Sequence, residues 1–414
     1  MKTLFKPAPT SPPPVDWESR FALRTAQMKR STVREFVKFT SRPGMISFAG
    51  GLPAPEFLPV DALQQAAARV LEKRGKQALQ YGESEGVAEL RDWLADHHRR
   101  RGLRITQANV LIFSGAQQAL DLLGRVLLQR GDKVIVENPT YLALLSAWRP
   151  LGVEFLAAPM DSQGILPGAL VPLLRQKPKL LYTIPTFQNP TGATLSHSRR
   201  ADVVELLRKH RVGIVEDEPY HQLRYEGPAL PHLVELDAHS TASGSLDTNT
   251  IHVGTFSKVL APGLRIGWVI GPEALLDKLI QAKQSADLQT STFNQLIALE
   301  MLNSGFLDTQ IPRLCAAYRE RRDTMLAALS KFLPRTVSWT RPDGGMFLMA
   351  TLPPHLDSAR LLEKALAANV AFVSGAEFHL NDCGGNTFRL NFSNATPQNI
   401  LEGIRRLGAI LTDA

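Results

Sequence analysis

The chain has 414 residues, of which 44% are hydrophobic and 21% charged, a composition typical of a globular protein rather than a disordered or fibrous one. No apolar run is long enough to span a bilayer, which argues against a membrane protein and favours a cytoplasmic one. The net charge of +8 is compatible with a nucleic-acid partner, but no basic stripe with interleaved aromatic residues recurs, so no nucleic acid is expected.

The beginning of the chain is predicted to be a flexible arm. Residues 1–19 contain many prolines and no apolar core of a signal peptide. In the stretch 30–37, helical spacing places Val33 with Phe36 on one apolar face and leaves Arg34 on another side. This pattern favours an amphipathic helix on which Arg34 is a solvated arginine.

A run of cationic residues between Arg91 and Arg104 includes His97 and His98. The run is typical of the solvated last turn of an amphipathic helix that ends at Gly102, where cations also suit the helix dipole. The alternative interpretation is a contact with nucleic acid, which the rest of the chain does not support.

Short apolar strands alternate with helical stretches in the next part of the chain. The predicted strands are Val110–Phe113, Val134–Glu137, Leu180–Ile184, Val212–Val215 and Ile251–Val253. Each strand is followed directly by polar or ionisable residues that could bind a ligand or take part in catalysis. In open α/β sheets, ligands bind beyond the carboxyl ends of the strands. We therefore expect five successive strand ends to converge on one pocket.

Lys258 follows the last of these strands, and Arg265 comes seven residues later. A lysine at the mouth of a buried strand loses its proton more easily than one in water, because desolvation disfavours the ammonium form. A neutral amine can bond covalently to an aldehyde, while Thr255, Ser257 and Arg265 can hold a phosphate. The segment thus predicts a site for a phosphorylated aldehyde, and the alternative is an ordinary surface lysine and arginine beside a loop.

The other strand ends supply groups that a pyridine aldehyde would need. Asp217 can keep the ring nitrogen protonated, or it can be a helix N-cap. Asn189 and Tyr220 can donate hydrogen bonds to a ring oxygen, although Asn-Pro-Thr-Gly is also a common turn. Tyr141 can stack on the ring or can simply pack. The segment Gly115-Ala116-Gln117 opens a helix, so its backbone N–H groups can bind a phosphate.

The length of the chain exceeds what one compact core usually holds, so two domains are expected. The larger domain, at residues 48–300, would be built on the α/β sheet. The smaller domain would combine residues 20–47 with residues 301–414. Its short strands are predicted at residues 337–339, 345–349, 370–373 and 388–392.

The two cysteines, Cys315 and Cys383, occur without a CxxC pair and without accompanying histidine spacing. The sequence therefore predicts neither a metal site nor a disulfide framework. Both cysteines are expected to be packing residues.

Together these motifs resemble the fold-type I, class I and II aminotransferases that use pyridoxal 5′-phosphate, and most closely the branch containing 2-aminoadipate and kynurenine aminotransferases. The resemblance covers nearly the whole chain, including Ser31–Arg34, Ser47–Pro55, Gln80–Gly82, Gly344–Phe347 and Phe388–Ser393. It implies an α/β fold in which a large domain with a mostly parallel central sheet is joined to a smaller α/β domain.

The resemblance also implies a role for each candidate residue. Lys258 resembles the lysine that binds the cofactor covalently, Asp217 the partner of the pyridine nitrogen, and Tyr141 the stacking ring. Asn189 and Tyr220 resemble the donors to the ring oxygen, and the implied catalytic set is Lys258, Asp217 and Tyr220. The implied phosphate ligands are Gly115, Ala116, Gln117, Thr255, Ser257, Arg265 and, from the second subunit of a homodimer, Tyr81. The implied substrate-binding residues are Asn189, Gly51, Arg389, which grips the α-carboxylate, and Arg34, which reaches the side-chain carboxylate of acidic substrates.

Two positions depart from the family pattern. Relatives commonly have serine where this chain has Ala116, so one side-chain contact to phosphate is expected to be missing. The Glu218-Pro219 pair replaces a more usual Asp-Ala. This keeps the spacing from Asp217 to Tyr220 but can tilt the turn between them.

The activity that the resemblance implies is ping-pong transamination from an L-amino acid to a 2-oxo acid, with 2-oxoglutarate as the expected acceptor. A pyridoxal-phosphate-dependent lyase or decarboxylase stays open, because one scaffold can host several reactions of the same cofactor. A cofactor-sensing DNA-binding regulator is the second alternative. The roughly 45 residues before the Gly50-Gly51 segment are few for a winged-helix domain and its linker.

Overall fold

The computed structural model describes residues 15–28, 44–239, 246–381 and 383–412. Its strands are β1 (Ile46–Ser47), β2 (Val110–Phe113), β3 (Lys133–Asn138), β4 (Glu154–Asp161), β5 (Gly164–Ile165), β6 (Leu180–Thr183), β7 (Gly213–Asp217), β8 (Thr250–Thr255), β9 (Gly267–Ile270), β10 (Ser338–Trp339), β11 (Phe347–Thr351), β12 (Val370–Ala371), β13 (Val373–Ser374) and β14 (Thr387–Asn391). Its α-helices are α1 (Val60–Ala78), α2 (Ala88–Arg99), α3 (Ala116–Leu127), α4 (Leu142–Trp148), α5 (Pro167–Leu174), α6 (His197–His210), α7 (Leu233–His239), α8 (Glu273–Ala286), α9 (Thr292–Asn303), α10 (Phe306–Phe332), α11 (Ser358–Ala367) and α12 (Pro397–Thr412).

The large sheet has the strand order β2-β9-β8-β7-β6-β3-β4-β5. Strands β8, β7, β6, β3 and β4 are parallel, and β5 is antiparallel to β4. Because β9 is antiparallel to both β2 and β8, these two strands point the same way. The five strands predicted from the sequence therefore share one direction, and their carboxyl ends meet at one edge. The predicted α/β fold with a mostly parallel central sheet is confirmed.

The strands of the sheet centre are covered on both faces. Every residue of β2, β6, β8 and β9 is buried, which explains the nearly continuous apolar sequences of β2, β6 and β9. Ile135, Leu181 and Ile214 are register partners and pack into a core on one face. Tyr182 and Val215 belong to the larger core on the other face.

The sequence analysis missed three strands of this sheet, β4, β9 and the two-residue β5. In β4 burial alternates with exposure and the segment includes Pro159, as suits a strand near the end of a sheet. In β9 only four residues follow the turn at Arg265. Such a short run carries little periodic signal, and only its antiparallel insertion between β2 and β8 makes it a strand.

The smaller sheet has the order β10-β11-β14-β13, with antiparallel pairs throughout. Strands β10, β11 and β14 lie within two residues of the strands predicted at 337–339, 345–349 and 388–392. The strand predicted at 370–373 is two strands instead, β12 and β13, and only β13 belongs to this sheet. A separate parallel pair joins β1 to β12 through the register partners Ile46 and Val370, so the chain before residue 48 contacts the C-terminal part. The domain boundaries at residues 47 and 300 stay a prediction.

The prediction of a solvated cationic helix end is wrong in part. Helix α2 ends at Arg99 rather than at Gly102, and His98 is only 2% exposed. Arg91 donates to two backbone carbonyls, and Arg101 pairs with the buried Glu235. The cations of this run therefore tie the helix to the rest of the domain.

The two cysteines are free thiols in different surroundings. Cys315 is half-buried and burial raises its pKa to about 11, whereas Cys383 is exposed, so the packing prediction is wrong for Cys383. Within the described ranges, no helix combines the length and apolar character needed to cross a membrane.

The buried contacts of Arg200 on α6 predict that replacing this residue will lower the stability of the protein sharply. Its fully buried guanidinium donates to the carbonyl oxygens of Leu195, Pro185 and Pro231 and lies 3.7 Å from the carboxylate of Glu218. Because Arg200→Leu removes the side-chain donor of the Leu195 and Pro231 carbonyls and the cation beside Glu218, we expect the free energy of unfolding to fall by about 3–5 kcal/mol.

The measurement is urea unfolding of wild type and variant, with Arg125→Leu as control. Arg125 pairs with Asp121 at the surface, where such a pair contributes less than about 1 kcal/mol. Equal losses in the two variants would contradict the structural role of Arg200.

Candidate active site

A cavity of about 160 Å³ lies at the carboxyl edge of the large sheet. Its lining is Ala116, Gln117, Leu120, Tyr141, Ile184, Asp217, Pro219, Tyr220, Thr255, Ser257, Lys258, Pro262 and Arg265. Most of the predicted cofactor residues are thus brought together from separate strand ends. A larger open cleft of about 900 Å³ is lined by other residues, among them Thr191, Arg224 and Trp339.

The amine of Lys258 lies deep in this cavity. Its Nζ donates a hydrogen bond to the carbonyl oxygen of Gly51, at 3.0 Å. Burial, reinforced by the positive charges of Arg265 and Arg389, lowers the pKa of Lys258 to about 8. Near neutral pH a much larger fraction of this amine is therefore neutral than in a solvated lysine, and the neutral form is the one that acts as a nucleophile or a base.

Asp217 ends β7 with its carboxylate almost fully buried. The hydroxyl of Tyr182 donates to Asp217 Oδ2 at 2.8 Å, while Oδ1 has no hydrogen-bond partner. Burial raises the pKa of Asp217 to about 6, against the opposing effects of Tyr182, His252 and Lys258. A buried carboxylate oxygen without a donor is suited to a ligand that brings an N–H group.

The cavity also contains the elements of an anion site. Gly115, with φ of +87°, precedes the helix that begins at Ala116, and the first N–H groups of a helix have no acceptor within it. Thr255 Oγ1 and Ser257 Oγ lie 3.0 Å apart beside these groups. The exposed Arg265 adds a cation, and a Cβ atom at Gly115 would collide with its guanidinium.

The first turn of α3 begins with Ala116, whose side chain has no hydrogen-bond donor. The side chain of the neighbouring Gln117 donates a hydrogen bond to the carbonyl of Ala143, so its amide already has an acceptor within the protein. The first turn of α3 thus offers mainly backbone N–H groups to an anion, in line with the expected loss of a side-chain contact at Ala116.

Arg389 on β14 forms a buried cationic fork. Its Nη1 donates to Asn189 Oδ1 at 2.8 Å and its Nη2 to the carbonyl of Ala49, while Nε has no partner. The guanidinium carbon lies 4.3 Å from the ring centre of Phe347. Burial lowers the pKa of Arg389 to about 10, so the group stays charged at neutral pH. Among the described residues no carboxylate pairs with Arg389, which makes it a receptor for an anionic ligand.

Asn189 and Tyr220 lie between this fork and the cavity. The oxygen of Asn189 is occupied by Arg389, which leaves its amide N–H groups to donate elsewhere. Tyr220 is buried, and this burial raises the pKa of its hydroxyl, which therefore stays protonated as a donor. Its ring packs edge-on against Phe347, 5.8 Å away.

The sequence analysis missed two residues that support these groups. Tyr182 holds the carboxylate of Asp217, and only its position in a buried strand could have indicated a polar role. Glu137, at the end of β3, accepts bonds from the side chains of Thr183 and Gln188. Burial raises the pKa of Glu137 to about 7. It anchors the turn that carries Asn189.

Other predicted residues lie outside the cavity lining. Tyr81 is 77% exposed after the end of α1. Gly51 is next to Lys258, and a Cβ atom there would lie 2.7 Å from Phe347 Cζ, so the position tolerates no side chain without a shift. Glu218 is buried and bonded to Thr186, which fixes the turn before Tyr220. Arg34 lies outside the described residues.

The residues present fit pyridoxal 5′-phosphate on the evidence of this chain alone. A lysine amine with a lowered pKa suits the aldehyde, and the unpartnered oxygen of Asp217 suits a pyridine N–H. The helix N-terminus with Arg265 suits the phosphate.

Comparison with known proteins agrees with this fit. The family profile described as aminotransferase class I and II matches residues 46–407. Aromatic-amino-acid aminotransferase 1 of Thermococcus litoralis is 43% identical over 97% of this chain and 96% of that protein.

Solved structures agree as well. The alpha-aminoadipate aminotransferase of Thermus thermophilus, complexed with N-(5′-phosphopyridoxyl)-L-leucine, has a TM-score of 0.89 and 39% identity over 96% of this chain and 99% of that one. The kynurenine aminotransferase of Pyrococcus horikoshii, in complex with PMP, has a TM-score of 0.90 and 39% identity over 96% of this chain and 98% of that one.

The lowered pKa of Lys258 predicts the pH dependence of cofactor attachment. With a pKa of about 8 rather than 10.5, roughly a quarter of the amine is neutral at pH 7.5 instead of about one part in a thousand. The rate at which pyridoxal 5′-phosphate attaches to cofactor-free protein should therefore rise with pH and level off above pH 8.

Attachment is followed by visible absorbance and by mass after borohydride reduction. Lys258→Ala should give no adduct, and Lys278→Ala, an exposed lysine, should behave as wild type. A midpoint near pH 10.5, or an adduct in Lys258→Ala, would contradict the assignment.

Proposed function

The chain belongs to the class I and II aminotransferases and is a pyridoxal-phosphate-dependent transaminase, and from this premise we propose that it moves the amino group of an L-amino acid to 2-oxoglutarate. The proposal rests on the buried guanidinium of Arg389, which has no carboxylate partner among the described residues and lies close to the amine of Lys258. Both donor and acceptor of such a reaction carry an α-carboxylate, and one fork serves both.

The donor range proposed here is broad and includes 2-aminoadipate and aromatic amino acids. Support comes from similar proteins whose names refer to aromatic amino acids, aminoadipate and kynurenine. The α-carboxylate site of Arg389 is shared by all these donors, so the choice among them depends on the walls around it.

Bound pyridoxal phosphate supplies an electron-withdrawing ring that stabilises negative charge on the substrate Cα. Asp217 keeps the ring nitrogen protonated, because a buried carboxylate next to an N–H stabilises the positive charge there. Tyr220 and Asn189 donate to the ring oxygen, and the N-terminus of α3 with Arg265 binds the phosphate.

Lys258 moves the proton that interconverts amino acid and oxo acid. With a pKa near 8, its amine would be suited to accept the proton of the substrate Cα and to give a proton back when the oxo acid forms. Arg389 meanwhile orients the substrate through its α-carboxylate. The oxo acid leaves before the second substrate binds, so the reaction is ping-pong.

The proposed function is tested with a panel of amino donors and 2-oxoglutarate on the holoenzyme. We expect glutamate in equal amount to the oxo acid produced from each donor, and parallel lines in double-reciprocal plots. Turnover that releases carbon dioxide or ammonia without forming glutamate would overturn the proposal in favour of a decarboxylase or a lyase.

We further propose that the chain acts as a homodimer in which Tyr81 completes the partner's phosphate site. Tyr81 and Leu79 are 77% and 75% exposed beyond the end of α1, and they are removed in sequence from the phosphate cluster. Large exposed side chains of this kind are suited to a subunit interface.

A mixed dimer tests this shared site. When Lys258→Ala and Tyr81→Ala subunits are combined, one of the two sites in each heterodimer should contain neither lesion and regain activity. Lys258→Ala combined with Asp217→Ala is the control, because both lesions stay within their own subunits' sites and no intact site forms unless Asp217 also crosses. Absence of rescue in the first pair, or an active monomer in sedimentation, would contradict the proposal.

Arg34 is proposed to bind the side-chain carboxylate of acidic donors. A charge-assisted bond contributes about 1.5–3 kcal/mol, so Arg34→Ala should lower kcat/KM for 2-aminoadipate and glutamate about ten- to a hundredfold. Leucine and phenylalanine should be nearly unaffected. Equal losses for acidic and apolar donors would instead assign Arg34 a role in the fold.

A further inference from the structure

A buried cluster lies on the face of β7 opposite Asp217. Glu216 precedes Asp217, and alternation along a strand turns their side chains to opposite faces. The register partner of Glu216 on β8 is His252, whose Nδ1 lies 3.1 Å from Glu216 Oε2. With His232, the residue before α7, these residues form a group whose ligand atoms all lie within 4.8 Å of one another. We call Glu216, His232 and His252 the rear cluster.

Several ring nitrogens around the rear cluster have no hydrogen-bond partner. They are both nitrogens of His232 and, beside the cluster, Nδ1 of His98, whose ring centre lies 5.0 Å from that of His252. All three histidines are at most 2% exposed. A buried polar atom without a partner costs about 1–3 kcal/mol, so several of them in one place require a ligand or water.

The chemistry of these donors favours a metal ion. Two imidazoles and one carboxylate form a donor set that Zn²⁺ accepts. The separation of His252 Nδ1 from Glu216 Oε2 is close to the roughly 3.3 Å edge of a tetrahedron with bonds of about 2.0–2.1 Å.

The protein also orients the carboxylate and balances the charge. Backbone N–H groups of Leu233 and Val234 donate to Glu216, which fixes its carboxylate as second-sphere bonds do in metal sites. The nearby cations are already paired, Arg101 with Glu235 and Arg200 with Glu218. A dication would therefore not meet an uncompensated positive charge from these two arginines.

We propose that the rear cluster binds one zinc ion. The ion would link β7 and β8 to the segment before α7 and would stabilise the strand that carries Asp217. Its burial makes it a structural metal that enters during folding rather than a catalytic one. The sequence predicted no metal site, because the ligands come from positions 216, 232 and 252, which follow no compact spacing.

The first test measures metal in untagged holoenzyme produced in zinc-supplemented medium and passed through gel filtration in metal-free buffer. We expect roughly one zinc per chain by mass spectrometry, since a closed site releases its ion slowly. X-ray absorption at the zinc edge should show nitrogen and oxygen neighbours at about 2.0–2.1 Å, with imidazole scattering and no sulfur. These readouts need no turnover, so they are independent of the proposed transaminase reaction.

Variants identify the ligands. The zinc content per chain should fall about tenfold or more in His232→Gln and in His252→Gln, whereas it should stay unchanged in His221→Gln. His221 is the matched control, because its ring lies 4.8 Å from that of His232 but its Nδ1 is within hydrogen-bond distance of the carbonyl of Glu218.

Two results would overturn the proposal. One is wild-type holoenzyme that holds no zinc both as produced and after refolding with zinc, which would assign the unpartnered nitrogens to buried water. The other is zinc bound through sulfur, or retained equally in folded His232→Gln and His252→Gln. If those variants do not fold, the absorption spectrum of the wild type still decides between imidazole and other ligands.

Discussion

Exclusion of water from the carboxyl edge of the large sheet is the constraint on which the active site depends. Burial brings the pKa of Lys258 down to about 8 and that of Asp217 up to about 6. It leaves the guanidinium of Arg389 charged without a carboxylate partner from the described residues. The site is therefore electrostatically incomplete by itself. In the proposed function, a pyridine N–H opposite Asp217 and a substrate carboxylate at Arg389 would supply the opposite charges.

Strand β7 connects this site to a second polar region. Asp217 faces the cavity and is held by Tyr182, whereas Glu216 and Glu218 point to the other side. There Arg200 neutralises Glu218, and the histidines surround Glu216. Glu216, Asp217 and Glu218 are consecutive, so the contacts behind the sheet hold the same backbone that presents Asp217. We infer that the rigidity of the active site is set partly by groups that never contact substrate.

Much of the fold could be predicted from local pattern. Apolar runs ending in Asn, Asp and Lys motifs predicted β2, β3, β6, β7 and β8, since fully covered parallel strands have continuous apolar sequences. Strand β9 was missed because four residues carry little periodicity. The burial of His98 was missed because a cationic helix end resembles a solvated one, and only Glu235 and the histidines packed around it reveal the difference.

Lys258 and Asp217 were proposed from the sequence because their residue types stand at strand ends, where their chemistry is local. Arg389 was proposed from the resemblance to a family, and that family and its cofactor are the ones that the comparisons support. The hydrogen bond from Tyr182 to Asp217, the support of Asn189 by Glu137 and the meeting of Glu216, His232 and His252 were decided only by the tertiary structure. Sequence pattern records which face a side chain takes within its own element. The distance between side chains on different elements depends on strand order and packing, which no local pattern contains.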